Sequence, residues 1–403
     1  MAGAPTFPAV LAPHAGLVAA PYSPHLAMVA GETSGDLLAS LLLSGLQKRW
    51  PELKVEGIGG LRMQALGFKA LWPSDKLAVL GYVDVLLHYR EIAGIRRNLK
   101  ERLLARRPDV FIGIDAPDFN LDLEVSLRQA GIKTVQFVSP SIWASRPERV
   151  HKIKRSADHV LCLFPFEPAL LAQHGIAATY VGHPLASMIP MQADQGAARL
   201  TLGLALDRPV VAVFPGSRQA EIDHLAPTFL AAVALIARYR PGTQFIVPAL
   251  PRFKAELQRL TLAAGLTEIL KIVDGQSHAV LAACDVTLIA SGTATLEAAL
   301  FKRPMVIAYR MNRLSWWLKG RLKLQPWIGL PNILCGEFVV PEFLQDAATP
   351  TALAAAVIDW LQAADSSPAK ISEVQEKFTA LHVQLQRDTA QLATDAIEKV
   401  LAS

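Results

Sequence analysis

From residue 25 onward, short apolar runs alternate with longer stretches of helical period. That is the pattern of parallel α/β units rather than of a sandwich or a bundle. Runs at 25–30, 55–58, 109–114, 132–138, 159–163 and 178–181 predict strands, with helices between them near 36–49, 86–107, 120–130, 146–156 and 166–174. A second series predicts strands near 209–214, 244–249, 269–273, 285–289 and 304–308, each followed by a helix. The Pro-containing seam near 182–192 reads as a linker, and 350–362 and 370–401 as two final helices. The expected fold is α/β, with two doubly wound Rossmann-like domains facing a cleft. The expected division is a disordered tail over 1–24, a domain over 25–185, a second over 186–350, and terminal helices over 351–403 that dock on the first domain or on a second copy of the chain.

A length of 403 residues exceeds what one core usually serves, which agrees with two domains. Apolar residues make up 52% and charged residues 19%, so disorder is excluded for most of the chain and an apolar exposed face is expected. The most apolar stretch, Leu225 to Ala237, contains a Pro and a Thr and is shorter than the roughly 18 residues a spanning helix needs. No membrane span is expected. Residues 1–24 hold five prolines and no Lys or Arg, unlike a secretory signal. Cys162, Cys284 and Cys335 have no zinc or disulfide spacing and read as core thiols of a reducing compartment. A net charge of +5 says little about partners.

Ligands of doubly wound sheets bind outside the carboxyl ends of the strands, so the loops after strands should carry the chemistry. Four of them are built from Gly, small hydroxyl residues or charge: Gly31-Glu32-Thr33-Ser34-Gly35-Asp36, Asp115-Ala116-Pro117-Asp118-Phe119-Asn120, Pro215-Gly216-Ser217-Arg218 and Ser291-Gly292-Thr293-Ala294-Thr295. The last opens a helix, where free N–H groups favour an anion such as phosphate, and Glu297, one turn in, suits ribose hydroxyls or simply complements the helix dipole. Gly216 permits close approach of a ligand, and Arg218 either neutralises a diphosphate or pairs with Glu221. Asp115, delivered by an apolar strand, is the favoured general acid or base over Asp118, with Asn120 as a helix cap. Glu32 and Ser34 could line a sugar site. Neither a Walker-type nor a dinucleotide-type glycine loop is present, which argues against an ordinary ATPase or dehydrogenase. The ten histidines lack zinc-hydrolase spacing, so no metal or other cofactor is expected.

Two segments set basic residues among apolar ones. Residues 76–92 carry Leu77, Val79, Leu80, Tyr82, Val83, Val85, Leu86, Leu87 and Tyr89, followed by Arg90, Arg96, Arg97, Lys100, Arg102, Arg106 and Arg107 against Glu91 and Glu101; residues 310–327 hold Arg310, Arg313, Lys319, Arg321 and Lys323 with Trp316, Trp317 and Trp327. Such surfaces suit an anionic membrane face or an acyl-chain substrate, or a helix with a solvated basic side; nucleic acid ranks last because no nucleic-acid module accompanies the charge.

These loops, with Gly59-Gly60-x-x-Met63, Val138-Ser139-Pro140-Ser141, Arg218-x-x-Glu221, Ser291-Gly292-Thr293-Ala294-Thr295-Leu296-Glu297 and Leu330-Pro331-Asn332, resemble the lipid-A-disaccharide synthase family in order along nearly the whole chain. The resemblance implies an inverting glycosyltransferase of the two-Rossmann-domain (GT-B) type. It would join UDP-2,3-diacylglucosamine to 2,3-diacylglucosamine 1-phosphate through a β-1′,6 linkage and release UDP, from the cytoplasm at the inner face of the cytoplasmic membrane. It places Arg218 on the diphosphate, Glu297 on the ribose and Asn332 at the donor cleft, with Asp115 as base. Glu32, Ser34, Met63, Asn120, Trp143 and Arg146 are acceptor-side candidates. Where the family commonly reads Trp-Ala-Trp-Arg, this chain has Trp143-Ala144-Ser145-Arg146. The nearest rivals are a peptidoglycan-precursor glycosyltransferase and a UDP-N-acetylglucosamine 2-epimerase of the same fold; a silent lipid or nucleotide binder is a further alternative.

Overall fold

The computed structural model describes residues 23–31, 33–74, 77, 82–144, 146–311 and 325–403. Nearly all of the expected 1–24 tail, Glu32, Ser145, most of 75–81 and the Trp316–Trp317 stretch lie outside the described residues. The first sheet has seven parallel strands: β1 (His25–Ala30), β2 (Lys54–Gly59), β3 (Lys69–Pro73), β4 (Val110–Ile114), β5 (Lys133–Phe137), β6 (His159–Cys162) and β7 (Ala178–Tyr180), in the order β3-β2-β1-β4-β5-β6-β7. Its helices are α1 (Thr33–Arg49), α2 (Leu61–Ala65), α3 (Tyr82–Arg106), α4 (Pro117–Gln129), α5 (Arg149–Ser156) and α6 (Glu167–Ala172). After α7 (Pro184–Met188) and α8 (Gln195–Thr201) comes a second parallel sheet of β8 (Val210–Phe214), β9 (Gln244–Ala249), β10 (Leu270–Asp274), β11 (Val286–Ala290), β12 (Met305–Tyr309) and β13 (Glu342–Leu344), ordered β10-β9-β8-β11-β12-β13. It carries α9 (Gln219–Tyr239), α10 (Pro251–Ala263), α11 (Ser277–Ala283), α12 (Thr293–Leu300), α13 (Leu330–Cys335), α14 (Pro350–Ser366) and α15 (Pro368–Leu385), before α16 (Thr389–Ala402).

The central strands β4, β8 and β11 are buried along their whole length, which is why their sequences are continuous apolar runs rather than alternating ones. The edge strands β3 and β13 escaped the sequence pattern because they are short and half exposed, and β3 ends on Pro73. Helix α9 is long and apolar enough to cross a membrane, but it contains Pro227 and buries Ile222, Leu225, Phe229, Val233 and Ile236 in the second domain's core.

The stretch expected as one helix over 370–401 is two. The chain leaves α15 at Gln386, and Asp388 caps α16 by accepting from Gln391 N–H at 3.0 Å. Helix α16 then packs Ala393, Ala396, Ile397 and Val400 into the first sheet's core, whereas α14 and α15 pack on the second. The return crossing lies beside the outward one: Tyr180 O–H donates to the Gln384 carbonyl (2.7 Å) and His183 N–H to the Leu385 carbonyl (2.9 Å).

Candidate functional site

Both sheets reverse their strand order in the middle, and those reversals hold all four loops singled out by the sequence. In the first sheet β1 and β4 pair with Ala30 opposite Ile114, so the Gly31 and Asp115 loops leave side by side. In the second, β8 and β11 pair with Phe214 opposite Ile289, bringing the Pro215–Arg218 and Ser291–Thr295 loops together. Such switch points are where doubly wound sheets open a crevice for ligands.

Asp115 and Ala116 both have left-handed backbone, with φ of 51° and 42°, a conformation that costs a non-glycine residue energy and persists only when its surroundings impose it. The surroundings are visible: Asp115 N–H donates to the Phe137 carbonyl at 2.8 Å, and its carbonyl accepts from Asn120 Nδ2 (2.9 Å) and Gln136 Nε2 (3.2 Å). Asp115 is half-buried at the end of a fully buried strand. Asp118, its rival, is 81% exposed and engaged by Arg149 at 2.5 Å and Arg146 at 3.9 Å. Asn120 is not the helix cap expected of it, since Ala116 holds that position and the Asn120 amide is buried, turned back on the Asp115 turn.

Asp36 is also buried and fixes the neighbouring loop. Its carboxylate accepts from the N–H groups of Gly60 (2.9 Å), Arg62 (2.9 Å) and Met63 (3.2 Å), satisfying the free donors at the start of α2. Met63, an acceptor-side candidate, is instead fully buried in the first core. Ser34 is exposed in the first turn of α1. Trp143 is buried too: it meets Phe164 and Phe166 edge-on and donates from Nε1 to Glu167 Oε1 at 3.1 Å, so its ring is spent on packing rather than offered to a sugar. Burial pushes Glu167 up to about 7, against the lowering effect of hydrogen bonds from Phe164 N–H and Trp143. Arg146 is half exposed beside Asp118.

At the second switch point Gly216 has φ of +135°, and a Cβ there would lie 2.3 Å from Glu221 Cβ. That close approach lets Glu221 accept from Ser217 N–H (2.7 Å) and Arg218 N–H (3.3 Å) and pair with the Arg218 guanidinium (3.2 Å). Glu221 is thus the brace of this loop. Arg218 is 68% exposed, so the pair holds it loosely and leaves it available to an anion. Beside it Ser291 and Gly292 lead into α12 at Thr293, and a Cβ at Gly292 would meet nothing within 4 Å beyond its chain neighbours. Thr295 is buried with its hydroxyl donating to the Gly292 carbonyl at 2.7 Å, so it shapes the turn instead of meeting a ligand. Glu297 lies 3.4 Å from His278, whose pKa is raised by that hydrogen bond.

Asn332, expected at the donor cleft, is instead a buried latch. Its Nδ2 donates to the Val340 carbonyl and Glu342 Oε1, both at 2.8 Å, and its Oδ1 accepts from Val339 and Val340 N–H. Glu342 also accepts from Ile328 and Gly329 N–H, tying down the segment whose Gln325 reaches the Trp143 carbonyl of the first domain at 3.3 Å. Two further site residues were missed in the sequence, His278 and Arg252; the latter donates to the Ser217 carbonyl at 2.5 Å. Both follow strand ends, so the same rule of loops after strands would have found them. No group of three or more His, Cys, Asp and Glu suited to a metal ion occurs among the described residues.

A family model described as lipid-A-disaccharide synthetase matches residues 26–397. The lipid-A-disaccharide synthase of Albidiferax ferrireducens is 65% identical over 382 residues, covering 94% of this chain and 98% of that one. Among solved structures, a putative UDP-N-acetylglucosamine 2-epimerase from Listeria monocytogenes superposes with a TM-score of 0.60 at 12% identity, covering 93% of this chain and 94% of that one. A glycosyltransferase from Rickettsia africae gives 0.59 at 10% identity, covering 95% and 98%. At such identities the likeness to these two structures concerns the fold alone.

Proposed function

The chain belongs to the lipid-A-disaccharide synthetase family, and from that premise we propose how its two sheets divide the reaction. The activity is that of a lipid-A-disaccharide synthase, a glycosyl transfer in lipid A biosynthesis, and its substrates are a UDP-diacylglucosamine and lipid X. In our reading the acceptor, 2,3-diacylglucosamine 1-phosphate, lies at the first switch point and UDP-2,3-diacylglucosamine at the second. The acceptor 6-hydroxyl attacks the donor's anomeric carbon from the face opposite UDP, its proton passes to the Asp115 carboxylate, and the bond from that carbon to the diphosphate oxygen breaks with its electron pair leaving on UDP. One displacement inverts the centre and gives the β-1′,6 linkage. Arg218 and the N–H groups opening α12 stabilise the charge growing on the diphosphate, and Glu297, steadied by His278, accepts from the ribose hydroxyls.

The observation that supports this division most strongly is the placement of the four loops at the two strand-order reversals. The experiment is release of UDP by purified protein in detergent and chelator, with and without acceptor. Acceptor-dependent release that persists in chelator is expected; release abolished by chelator would refute the assignment of diphosphate stabilisation to Arg218 and α12.

We further propose peripheral association with an anionic membrane face. Within α3, Arg96 pairs with Asp122 and both Arg102 and Arg106 pair with Glu56, while Arg90 and Arg97 are exposed. Flotation with anionic vesicles should weaken with added salt, because exposed charges are screened beyond about 8 Å at physiological ionic strength. Salt-insensitive flotation would move the role to apolar contacts.

A further inference from the structure

The turn that carries Asp115 rests on buried polar side chains for which the reaction has no direct use. Asn120 and Gln136 are fully buried and both donate to the Asp115 carbonyl, yet their own oxygens, Asn120 Oδ1 and Gln136 Oε1, have no hydrogen-bond partner among the described residues. Glu124 stands one turn beyond Asn120 in α4, is likewise fully buried, and neither of its carboxyl oxygens has a partner among the described residues. Gly113 of β4 makes the room: a Cβ there would fall 2.4 Å from Glu124 Oε1, 2.8 Å from Asn120 Cβ and 3.0 Å from Asn120 Cγ. The Glu124 carboxyl and the Asn120 amide therefore share one gap over the strand that delivers Asp115.

Buried acceptors facing one another with few donors between them would each bear a desolvation cost. One proton changes the arithmetic, because a neutral carboxyl donates as well as accepts. Burial pushes Glu124 up to about 8, against the lowering effects of the nearby Ser156 hydroxyl and the Lys152 charge. The charged groups on the elements packed against α4 are engaged elsewhere: Arg96 of α3 and Lys152 of α5 both pair with Asp122, at 2.9 and 2.6 Å, and Arg149 of α5 pairs with Asp118. The Ser156 hydroxyl of α5 donates to the Ile153 carbonyl at 3.2 Å and stands near enough to Glu124 to favour its charged form in part, and β5 contributes the uncharged Gln136.

We propose that Glu124 is a neutral carboxylic acid that donates to the Asn120 amide oxygen and thereby fixes the amide that clamps the left-handed Asp115 turn. Glu124 is then a positioning residue for the base, an inference that rests on reading Asp115 as that base. Glu124→Leu should lower kcat by about tenfold or more with little change in KM for the UDP-sugar, and Glu124→Gln, which keeps a donor and an acceptor, should restore most of that loss. Ionised Glu124 can no longer donate, so wild-type kcat should fall as pH rises through about 8, and Glu124→Gln should lack that fall. Infrared difference spectra of the folded protein give a readout independent of turnover and of whether Glu124→Leu folds: a protonated carboxyl band present near neutral pH, lost at alkaline pH and missing from Glu124→Gln. Absence of that band in the wild type, or an alkaline fall retained in Glu124→Gln, overturns the proposal. Turnover surviving in Asp115→Asn would instead remove the base assignment, with the infrared band still reporting on Glu124.

Discussion

Asp115→Asn is expected to lower kcat roughly a thousandfold, within the range that a positioned general base contributes, while KM for the UDP-sugar changes little. Asparagine is the informative replacement because it tolerates left-handed backbone, so the turn at φ of 51° can survive the change. The N–H bond to Phe137 and the carbonyl bonds from Asn120 and Gln136 are made by the backbone of residue 115, and they persist whatever its side chain. What is lost is the group that takes the acceptor's proton. Asp115→Ala adds the cost of placing alanine in the left-handed region, about 1 kcal/mol, so a lower melting temperature is expected there and not in Asp115→Asn. Steady-state kinetics on both variants check this. A kcat within tenfold of wild type in Asp115→Asn would remove the residue from proton transfer.

Arg218→Ala should reduce kcat/KM by roughly a hundredfold to a thousandfold, the cost of removing one donor from a charge-stabilising site. The guanidinium is two-thirds exposed and paired with Glu221 across one helical turn. An exposed pair of this kind is worth at most about 1 kcal/mol, so an arriving diphosphate with two negative phosphates outbids Glu221 easily. Glu221 keeps its hold on the Ser217 and Arg218 N–H groups throughout, and the loop stays in place when the side chain swings to the ligand. Arg218→Lys keeps the charge but loses the planar fork that meets two phosphate oxygens at once, so it should recover only part of the loss. Unchanged kcat/KM in Arg218→Ala would mean that the N–H groups of α12 carry the diphosphate alone.

What could be read in the sequence was what burial writes into residue types. The runs Val110–Ile114, Val210–Phe214 and Val286–Ala290 are apolar because both faces of a central parallel strand are covered, and the polar loops that follow them then stand out. Asp115 and Arg218 stand out as candidates for that reason. Side chains that brace those loops do not. The family resemblance placed Asn332 at the donor cleft, and only the fold reveals that it makes hydrogen bonds to residues 339, 340 and 342. Glu221, Asp36 and Thr295 likewise spend their oxygens on nearby backbone groups, a use that a motif cannot distinguish from ligand binding. Glu124 has the look of a solvated helix acid, and its burial depends on Gly113 in a different element. The break between α15 and α16 was missed because both halves are amphipathic, and the core that α16 joins lies some 350 residues earlier in the chain, beside α1.

The division of labour between the two switch points is tested most directly by titrating UDP onto Asp115→Asn and Arg218→Ala in parallel. The expected result is that Asp115→Asn binds UDP within about twofold of wild type while Arg218→Ala binds at least about tenfold more weakly. Loss of UDP affinity in Asp115→Asn, or wild-type affinity in Arg218→Ala, would contradict the placement of nucleotide at the second sheet and proton transfer at the first.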